Sequence, residues 1–408
     1  MKRKSFIGLF IAFSMIITPM SSFADVTRYT LDEAFQKSLE NSKGIYELDY
    51  NIVKLEDGIR QSKAGAKKVE ANLDDLQEFR KLYKNEQLGR LTDPVDIMTL
   101  KGYQAAFGEE PPYYSYVEKY NMFYYNSEVV PFNLDISLKK LNNTKDQVES
   151  QIRNAVYELY NNYLMLNSVL DINEKYLDLM NRQYEDILVK YENNQASEME
   201  LEITKLSRDS QENEVNKTKL NIEKIKLNLN KLMGNDINSD FELDFTPRSY
   251  GLENSLSETE FVKLALDNNI DLINAKYDVK TKEHEIDVMD FYIDDFMRQF
   301  RDLMTDYEDS KLTVSKLEYD IRENVIYGYN DMTYKGKLVE LNKKTSIQKS
   351  KEMDKYNNFY EAGQIKMSDL IGVELQYVQQ LVNEQKAIYD YYLAQYKFNN
   401  AIGKGPLY

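Results

Sequence analysis

Few side chains in this sequence could perform catalysis or hold a metal ion. The chain of 408 residues has one histidine and no cysteine, so thiolate ligands and disulfides are excluded. The histidine lies in the charged run Lys282-Glu283-His284-Glu285, without a second histidine at metal-binding spacing. The sequence also has no glycine-rich phosphate loop and no nucleophile motif. We therefore predict that the protein is not an enzyme, binds no cofactor or metal, and carries His284 as a solvated surface residue.

The N-terminus and the net charge limit location and partners. Residues 1–24 combine three basic residues, an apolar stretch from Phe6 to Ile17, and small residues at Ser22 and Ala24. This pattern predicts a cleaved signal peptide, because a spanning helix needs about 20 apolar residues. Loss of the three basic residues takes the formal net charge from −16 to −19. Since nucleic acids and anionic lipids select clustered Lys and Arg, neither is an expected partner of the exported chain.

A long internal repeat organises the rest of the chain. Two segments superpose at a shift of 169 residues, and in each a Tyr-Glu pair lies 43 residues before a glycine. These landmarks are Tyr191-Glu192 with Gly234 in the first copy, and Tyr360-Glu361 with Gly403 in the second. Near the start of each copy the shift is 227, which matches Leu39 and Asn41 with Leu266 and Asn268. The chain is thus one supersecondary unit used twice.

The change of shift leaves 58 residues that only the first copy contains. We place this insertion near residues 82–140. The prediction is a single domain over residues 25–408, made of two repeats at 30–234 and 257–403.

Long helices with few breaks are the main local pattern. Neither proline nor glycine occurs from Phe132 to Met233. One helix of that length would be about 150 Å long, so a break at residues 193–197 predicts a hairpin. From Ile152 to Tyr191, apolar residues alternate in steps of four and three, with Asn173 the only polar member. Such spacing is typical of a left-handed coiled-coil seam, and ordinary bundle core is the alternative interpretation.

Shorter elements should frame the hairpins. Leu31 to Asn41 and Glu258 to Asn268 predict a short amphipathic helix at the start of each copy, with Thr30 and Ser257 as N-caps. Alternation over residues 241–245 predicts a short extended segment between the copies. The predicted fold class is all-α, with duplicated long coiled-coil helical hairpins and little or no β structure.

The order and spacing of these motifs resemble the TolC-like outer-membrane efflux protein family over nearly the whole mature chain. The motifs are Leu31-Asp32-Glu33-Ala34 with Leu39-Glu40-Asn41, the copy ending Leu266-Asp267-Asn268, Tyr360-Glu361-Ala362-Gly363 with Ser368-Asp369-Leu370, and the closing Ala401-Ile402-Gly403. The resemblance implies a homotrimer whose hairpins form a hollow α-helical barrel. It also implies an exit duct for envelope efflux or secretion, joined through a periplasmic adaptor protein to an inner-membrane pump.

The resemblance further implies a gate near the turn of the second hairpin. Tyr360 matches a gating tyrosine and Asp369 an aspartate of an acidic constriction, and the repeat makes Glu200 the equivalent of Asp369. Two other family positions differ, since a normally basic one is Ile365 and a second acidic one is Gly372. In a trimer these carboxylates would form a ring that attracts cations. The alternative is a solvated helix carboxylate on a chain with 68 acidic residues.

The insertion bears on the cellular location. Outer-membrane members of the family place membrane-spanning strands at this point in both copies, but the second copy has room only for a tight turn near Asp306 to Ser310. In the first copy, aromatic residues from Tyr113 to Phe123 follow helix spacing, and prolines interrupt the remainder. We expect short helices and loops there, with an aromatic cluster packed on the end of the barrel.

These expectations leave more than one location and function open. The location is the cell envelope, either the outer membrane, by resemblance, or the cell wall or outer face of a cell with a single membrane. The main alternative function is a non-transporting envelope or cell-wall scaffold derived from the efflux family. An exported coiled-coil binding protein without a pore would explain the seams but not the duplication.

Overall fold

The computed structural model describes residues 27–244, 257–293 and 297–403. The predicted signal peptide lies outside the described residues. Within them the chain is almost entirely helical, and the two strands, β1 (Thr27–Tyr29) and β2 (Phe241–Leu243), have three residues each. The predicted all-α class is confirmed.

Each copy opens with a short helix and ends with a long hairpin. The helices of the first copy are α1 (Leu31–Glu40), α2 (Lys43–Gln87), α3 (Pro94–Phe107), α4 (Tyr116–Lys119), α5 (Val130–Glu192) and α6 (Glu198–Met233), with a π-helical segment at Tyr120–Val129. Those of the second copy are α7 (Glu258–Asn268), α8 (Ile270–Asp290), α9 (Arg298–Glu361) and α10 (Met367–Ala401). The predicted hairpin break and both opening helices, with their N-caps Thr30 and Ser257, are confirmed.

The four long hairpin helices form one layer. α5 packs on α6 within the first hairpin, α9 packs on α10 within the second, and α5 packs on α10 between them. α10 also contacts α6, whereas α6 and α9 do not pack on each other and lie at the edges of the layer. Away from the hairpin turns, α2 packs on α5 and α8 packs on α9. Salt bridges join these pairs, from Lys145 to Asp49 at 2.6 Å and from Lys276 to Glu318 at 3.7 Å.

The central core lies where the opening elements of the first copy meet its hairpin. Phe35 of α1, Phe241 of β2 and Leu229 of α6 are buried together with Val156 of α5. The strands pair in parallel, with Thr27 opposite Phe241. The predicted extended segment is confirmed for residues 241–243, whereas its partner β1 was not predicted.

The repeated asparagine and glycine landmarks hold the base of each hairpin. Gly234 and Gly403 follow α6 and α10 in the left-handed conformation, at φ 71° and 74°. A Cβ atom on Gly234 would lie 2.5 Å from the side chain of Asn41, and one on Gly403 would lie 2.2 Å from that of Asn268. Asn41 Nδ2 also donates to the carbonyl of Leu232 at 3.2 Å. The asparagine at the end of each opening helix therefore packs on the glycine that ends the hairpin of the same copy.

An amide pair crosses the seam at the same place in both hairpins, buried in the first and half-buried in the second. In the first, Gln211 Nε2 donates to the backbone and side-chain oxygens of Asn173, at 3.1 and 3.3 Å. In the second, Gln380 Nε2 donates to the same two oxygens of Asn342, at 3.2 and 3.0 Å. Asn173, the one polar residue of the first apolar seam, is thus paired with a glutamine, and the same pair occurs in the second hairpin. Such a pair fixes the register, because a slipped seam would leave the amides unpaired.

The insertion is helical, as predicted, and α3 folds back on the end of α2. Phe79, Leu82 and Leu100 form a buried cluster there, with aromatic rings around Phe79. Helix begins only at Tyr116, so the predicted helix spacing does not extend to Tyr113, which is 90% exposed. In the part of the chain that the structure describes, no helix is both long and apolar enough to cross a membrane.

The predicted turn at Asp306 to Ser310 is wrong. These residues lie inside α9, and the second copy changes direction between the end of α8 and the start of α9. The run has no proline or glycine, and its polar groups find partners on α8 and within α9. Lys282 Nζ of α8 donates to Asp306 Oδ2 at 3.0 Å. Ser310 Oγ donates to the carbonyl of Asp306 at 2.8 Å, and Lys311 pairs with Glu308 at 3.1 Å.

Replacement of Gly234 by alanine tests the base of the hairpin. We expect Gly234→Ala to lower the free energy of unfolding by about 2–3 kcal/mol, through left-handed strain and displacement of Asn41. The control is Gly372→Ala, because Gly372 lies in α10 and an added Cβ atom there would meet no other atom within 4 Å. That change should stabilise the chain by about 1 kcal/mol, the difference between the two residues within a helix. Urea unfolding of both variants provides the measurement, and equal midpoints would contradict the packing role of Gly234.

Candidate gate at the hairpin tips

Both hairpin turns use the same backbone design. Asn194 and Gly363 are equivalent in the repeat, and both adopt the left-handed conformation, at φ 58° and 69°. The next residue bonds back to the helix in each case, from Gln195 N to Lys190 O at 2.7 Å and from Gln364 N to Phe359 O at 2.9 Å. This is a Schellman-type helix end, in which asparagine can replace glycine. The turn residues thus set where each hairpin reverses.

The two predicted carboxylates lie at the start of the return helices. Glu200 accepts hydrogen bonds from Ser197 N at 3.1 Å and from Ser197 Oγ at 3.2 Å. Asp369 accepts one from Lys366 N at 3.2 Å. Each carboxylate is the third residue of its helix, where it satisfies a free backbone N–H. Asp369 is exposed and Glu200 is half-buried, so both combine a capping role with access to solvent at the tips.

Tyr360 joins the second hairpin to the first. Lys190 Nζ donates to Tyr360 Oη at 2.9 Å, and Tyr360 Oη donates to Asp186 Oδ2 at 3.4 Å. Lys190 also pairs with Asp186 at 2.6 Å and lies 5.2 Å from the centre of the tyrosine ring. Hydrogen bonds to Asp186 and then to Tyr360 raise the pKa of Lys190, which keeps it cationic. We call Tyr360, Lys190 and Asp186 the tip latch.

The sequence predicted Tyr360 but missed its two partners. Lys190 and Asp186 lie on α5, and their repeat equivalents, Phe359 and Lys355, cannot form the same group of charges. The internal repeat therefore gave no signal for them. Their spacing of four residues on one helix face was the only available indication.

An apolar cluster beside the latch holds the two hairpins together. This tip cluster consists of Tyr176, Met180 and Ile187 from α5 with Met367, Leu370 and Ile371 from α10. Ile365, at the position that is basic in the family, packs against the cluster. At Gly372, the second altered position, an added Cβ would meet no atom within 4 Å. Neither altered position supplies a charge here, whereas Lys190 and Asp186 of the tip latch do.

A buried carboxylate next to the tip cluster was missed by sequence analysis. Glu374 is 2% exposed, and Gln183 Nε2 donates to its Oε2 at 2.7 Å. Burial raises the pKa of Glu374, and the hydrogen bond from Gln183 opposes that rise. A signal was present, because Glu374 lies between Leu370 and Tyr377 at steps of four and three on the buried stripe of α10.

His284, predicted to be a solvated surface residue, is half-buried and has one face against an aromatic ring. Its ring packs on Phe132 with the ring centres 4.1 Å apart, and its Nε2 lies 3.3 Å from the carbonyl oxygen of Glu128. The residue thus packs α8 against the start of α5. Within the described ranges, no three His, Cys, Asp or Glu side chains are grouped so as to hold a metal ion.

The duplicated layer of long hairpins, with its matched turns and bases, has the architecture of TolC-like channel subunits. The chain is similar to the transmembrane channel CusC, with a TM-score of 0.66, 10% identity, and 91% of each chain covered. It is also similar to the outer-membrane protein VceC of Vibrio cholerae, with a TM-score of 0.64 and 12% identity over 92% of this chain and 96% of that one. A membrane protein from Pseudomonas aeruginosa gives a TM-score of 0.64 and 10% identity over 97% of both.

No protein-family model and no curated protein sequence matches this chain. The likeness therefore lies in the fold, which these three structures share over nearly their whole length. The TolC-like fold predicted from the sequence motifs is confirmed.

The buried carboxylate gives a testable dependence of stability on pH. Because the pKa of Glu374 is raised on folding, the folded chain keeps this proton at a pH where the unfolded chain has lost it. Stability falls as the pH rises from the unfolded value of about 4.3 through the higher folded value. We expect Glu374→Gln to stabilise the chain by on the order of 1 kcal/mol at pH 8, and by less at pH 5.5.

The matched control for this variant is Glu185→Gln, at an exposed position on α5. It removes the same charge and should leave the urea midpoint nearly unchanged at both pH values. A stabilisation by Glu374→Gln that is equal at pH 5.5 and pH 8 would contradict the role assigned to the buried charge.

Proposed function

We propose that this chain is a subunit of a homotrimeric, TolC-like exit duct in an envelope efflux or secretion system. The observation that carries the proposal is a pair of apolar stripes on the two edges of the hairpin layer. On α9, five of the exposed apolar residues recur at intervals of seven or eight, and these are Leu312, Tyr319, Tyr327, Tyr334 and Leu341. On α6, four exposed apolar residues are spaced by seven, with Asn213 at the one intervening position, and these are Met199, Leu206, Leu220 and Leu227.

Exposed apolar residues that recur at heptad spacing are typical of a helix face that packs on a partner helix. Within one chain α6 and α9 lie at opposite edges, so neither stripe can cover the other. A second copy of the chain is the partner that supplies both complementary edges. Repeating this edge-to-edge contact around an axis closes a ring, and closure leaves no stripe exposed. Three copies would produce the barrel that the resemblance implies.

The tips then become the narrow end of the duct. Asp369 and Glu200, which start the return helices, would together ring the opening in a trimer. The tip latch of Tyr360, Lys190 and Asp186 would hold neighbouring hairpins together at that level. Release of the latch would separate the hairpins and widen the opening, which is the role proposed for Tyr360.

The proposed location is the cell envelope, reached through the predicted signal peptide at residues 1–24. By family resemblance, the duct would join a periplasmic-adaptor-type protein and an inner-membrane pump. The strongly acidic mature chain supports the absence of nucleic acid among its partners.

Native mass spectrometry of residues 25–408 tests the assembly. We expect a trimer, and we expect Tyr334→Glu to dissociate it, because a carboxylate would be buried in the seam. The control is Asn324→Glu, which adds the same charge at an exposed position of α9 outside the stripe. Both variants should keep the helical circular dichroism of the natural chain. A monomeric or dimeric natural chain would overturn the proposal.

Conductance of the reconstituted trimer tests the gate. Asp369→Asn should lower cation selectivity and weaken block by multivalent cations, while asparagine can still cap α10. Asp354→Asn removes one exposed charge from the same hairpin away from the turn and should change neither property. Unchanged selectivity in Asp369→Asn would identify the residue as a helix cap alone. A stable trimer without conductance would favour the envelope-scaffold alternative.

A further inference from the structure

A groove of about 330 Å³ lies between the two hairpins, where α5 faces α10. Its walls are largely apolar and include Ile172, Leu179, Val378 and Leu381. This volume falls at the lower end of the range found for small-molecule sites. Glu374 and Tyr176 also belong to its lining.

Glu374 brings an oriented carboxylate to the groove. Gln183 Nε2 holds one carboxylate oxygen at 2.7 Å, and the glutamate side chain is 2% exposed. Burial raises the pKa of Glu374, and the hydrogen bond from Gln183 opposes that rise. The one lysine of the groove lining, Lys175, pairs with Asp171 at 2.6 Å. Among the described residues, the lining therefore offers Glu374 no cation that is not already paired.

Tyr176 provides an independent indication of a missing partner. It is 4% exposed, and its hydroxyl has no hydrogen-bond partner among the described residues. The same holds for Oε1 of Gln183, which is 7% exposed. Buried polar groups in folded proteins are nearly always paired, so two unpaired groups around one buried carboxylate call for an explanation. A ligand with polar hydrogens would satisfy the tyrosine oxygen and the carboxylate together.

We propose that this groove binds a small apolar molecule that carries a primary or secondary ammonium group. The ammonium would donate to Glu374 and to the hydroxyl of Tyr176, and the apolar body would lie along Leu179 and Val378. The proposal concerns binding to the chain itself and does not depend on transport or on trimer formation. Because α5 and α10 belong to different hairpins, an occupied groove would also join the two hairpins.

Isothermal titration calorimetry of residues 25–408 tests this site, with 1-adamantylammonium as the probe. The matched neutral probe is 1-adamantanol, which has the same shape without the positive charge. We expect the ammonium to bind more tightly than the alcohol. Glu374→Gln should weaken ammonium binding by about tenfold, as for loss of a charged hydrogen bond, and should leave binding of the alcohol unchanged.

Three further variants locate the site. Tyr176→Phe should weaken ammonium binding by about threefold without loss of stability, because it removes an unpaired buried group. Val378→Phe fills the groove and should abolish binding of both probes. Glu185→Gln, exposed on α5, should bind as the natural chain does. Absence of ammonium binding, equal affinity in Glu374→Gln, or full binding in Val378→Phe would each overturn the proposal.

Discussion

The register between the two arms of each hairpin is the constraint on which the other features depend. An apolar seam alone permits slippage, since a shift by one heptad presents the same residue types and moves one arm by about 10 Å. The amide pairs Asn173–Gln211 and Asn342–Gln380 remove that freedom, because each amide has its partner in only one register. The turns, the caps and the bases of the hairpins occupy fixed relative heights as a result. The tip latch joins residues of two hairpins, so it depends on these fixed heights.

Features set by local backbone constraints could be predicted from the sequence, and several of the others could not. The repeat located both hairpins because its landmarks are backbone constraints: a left-handed glycine at each base, with an asparagine packed on it. Helix starts were predictable because capping chemistry is local. The connection in the second copy was misplaced, since residues 306–310 contain no proline or glycine and continue α9, with Asp306 paired to Lys282 of α8. Strand β1 was missed because three residues carry no periodic signal.

The candidate site was predictable only in part, for a related reason. Tyr360, Asp369 and Glu200 follow from the repeat and the resemblance, and all three lie at the tips. Lys190, Asp186 and Gln183 come from the other hairpin, so they join the site only through tertiary packing. Glu374 lies on the buried stripe of α10, which the spacing of its apolar residues predicted. The single acidic residue within that stripe was missed. A comparison of the two copies therefore does not predict the contacts between them.

The two copies are alike in backbone but not in how their tyrosines are used. Tyr360 is tied to the first hairpin. Its equivalent Tyr191 is 38% exposed, and Phe359 and Lys355 occupy the positions that match Lys190 and Asp186. In the trimer proposed above, half of the junctions between hairpins would be complete within a single chain, and the other half would form only on assembly. Opening of the proposed aperture would then pass through a state of threefold symmetry, with three junctions loosened and three closed.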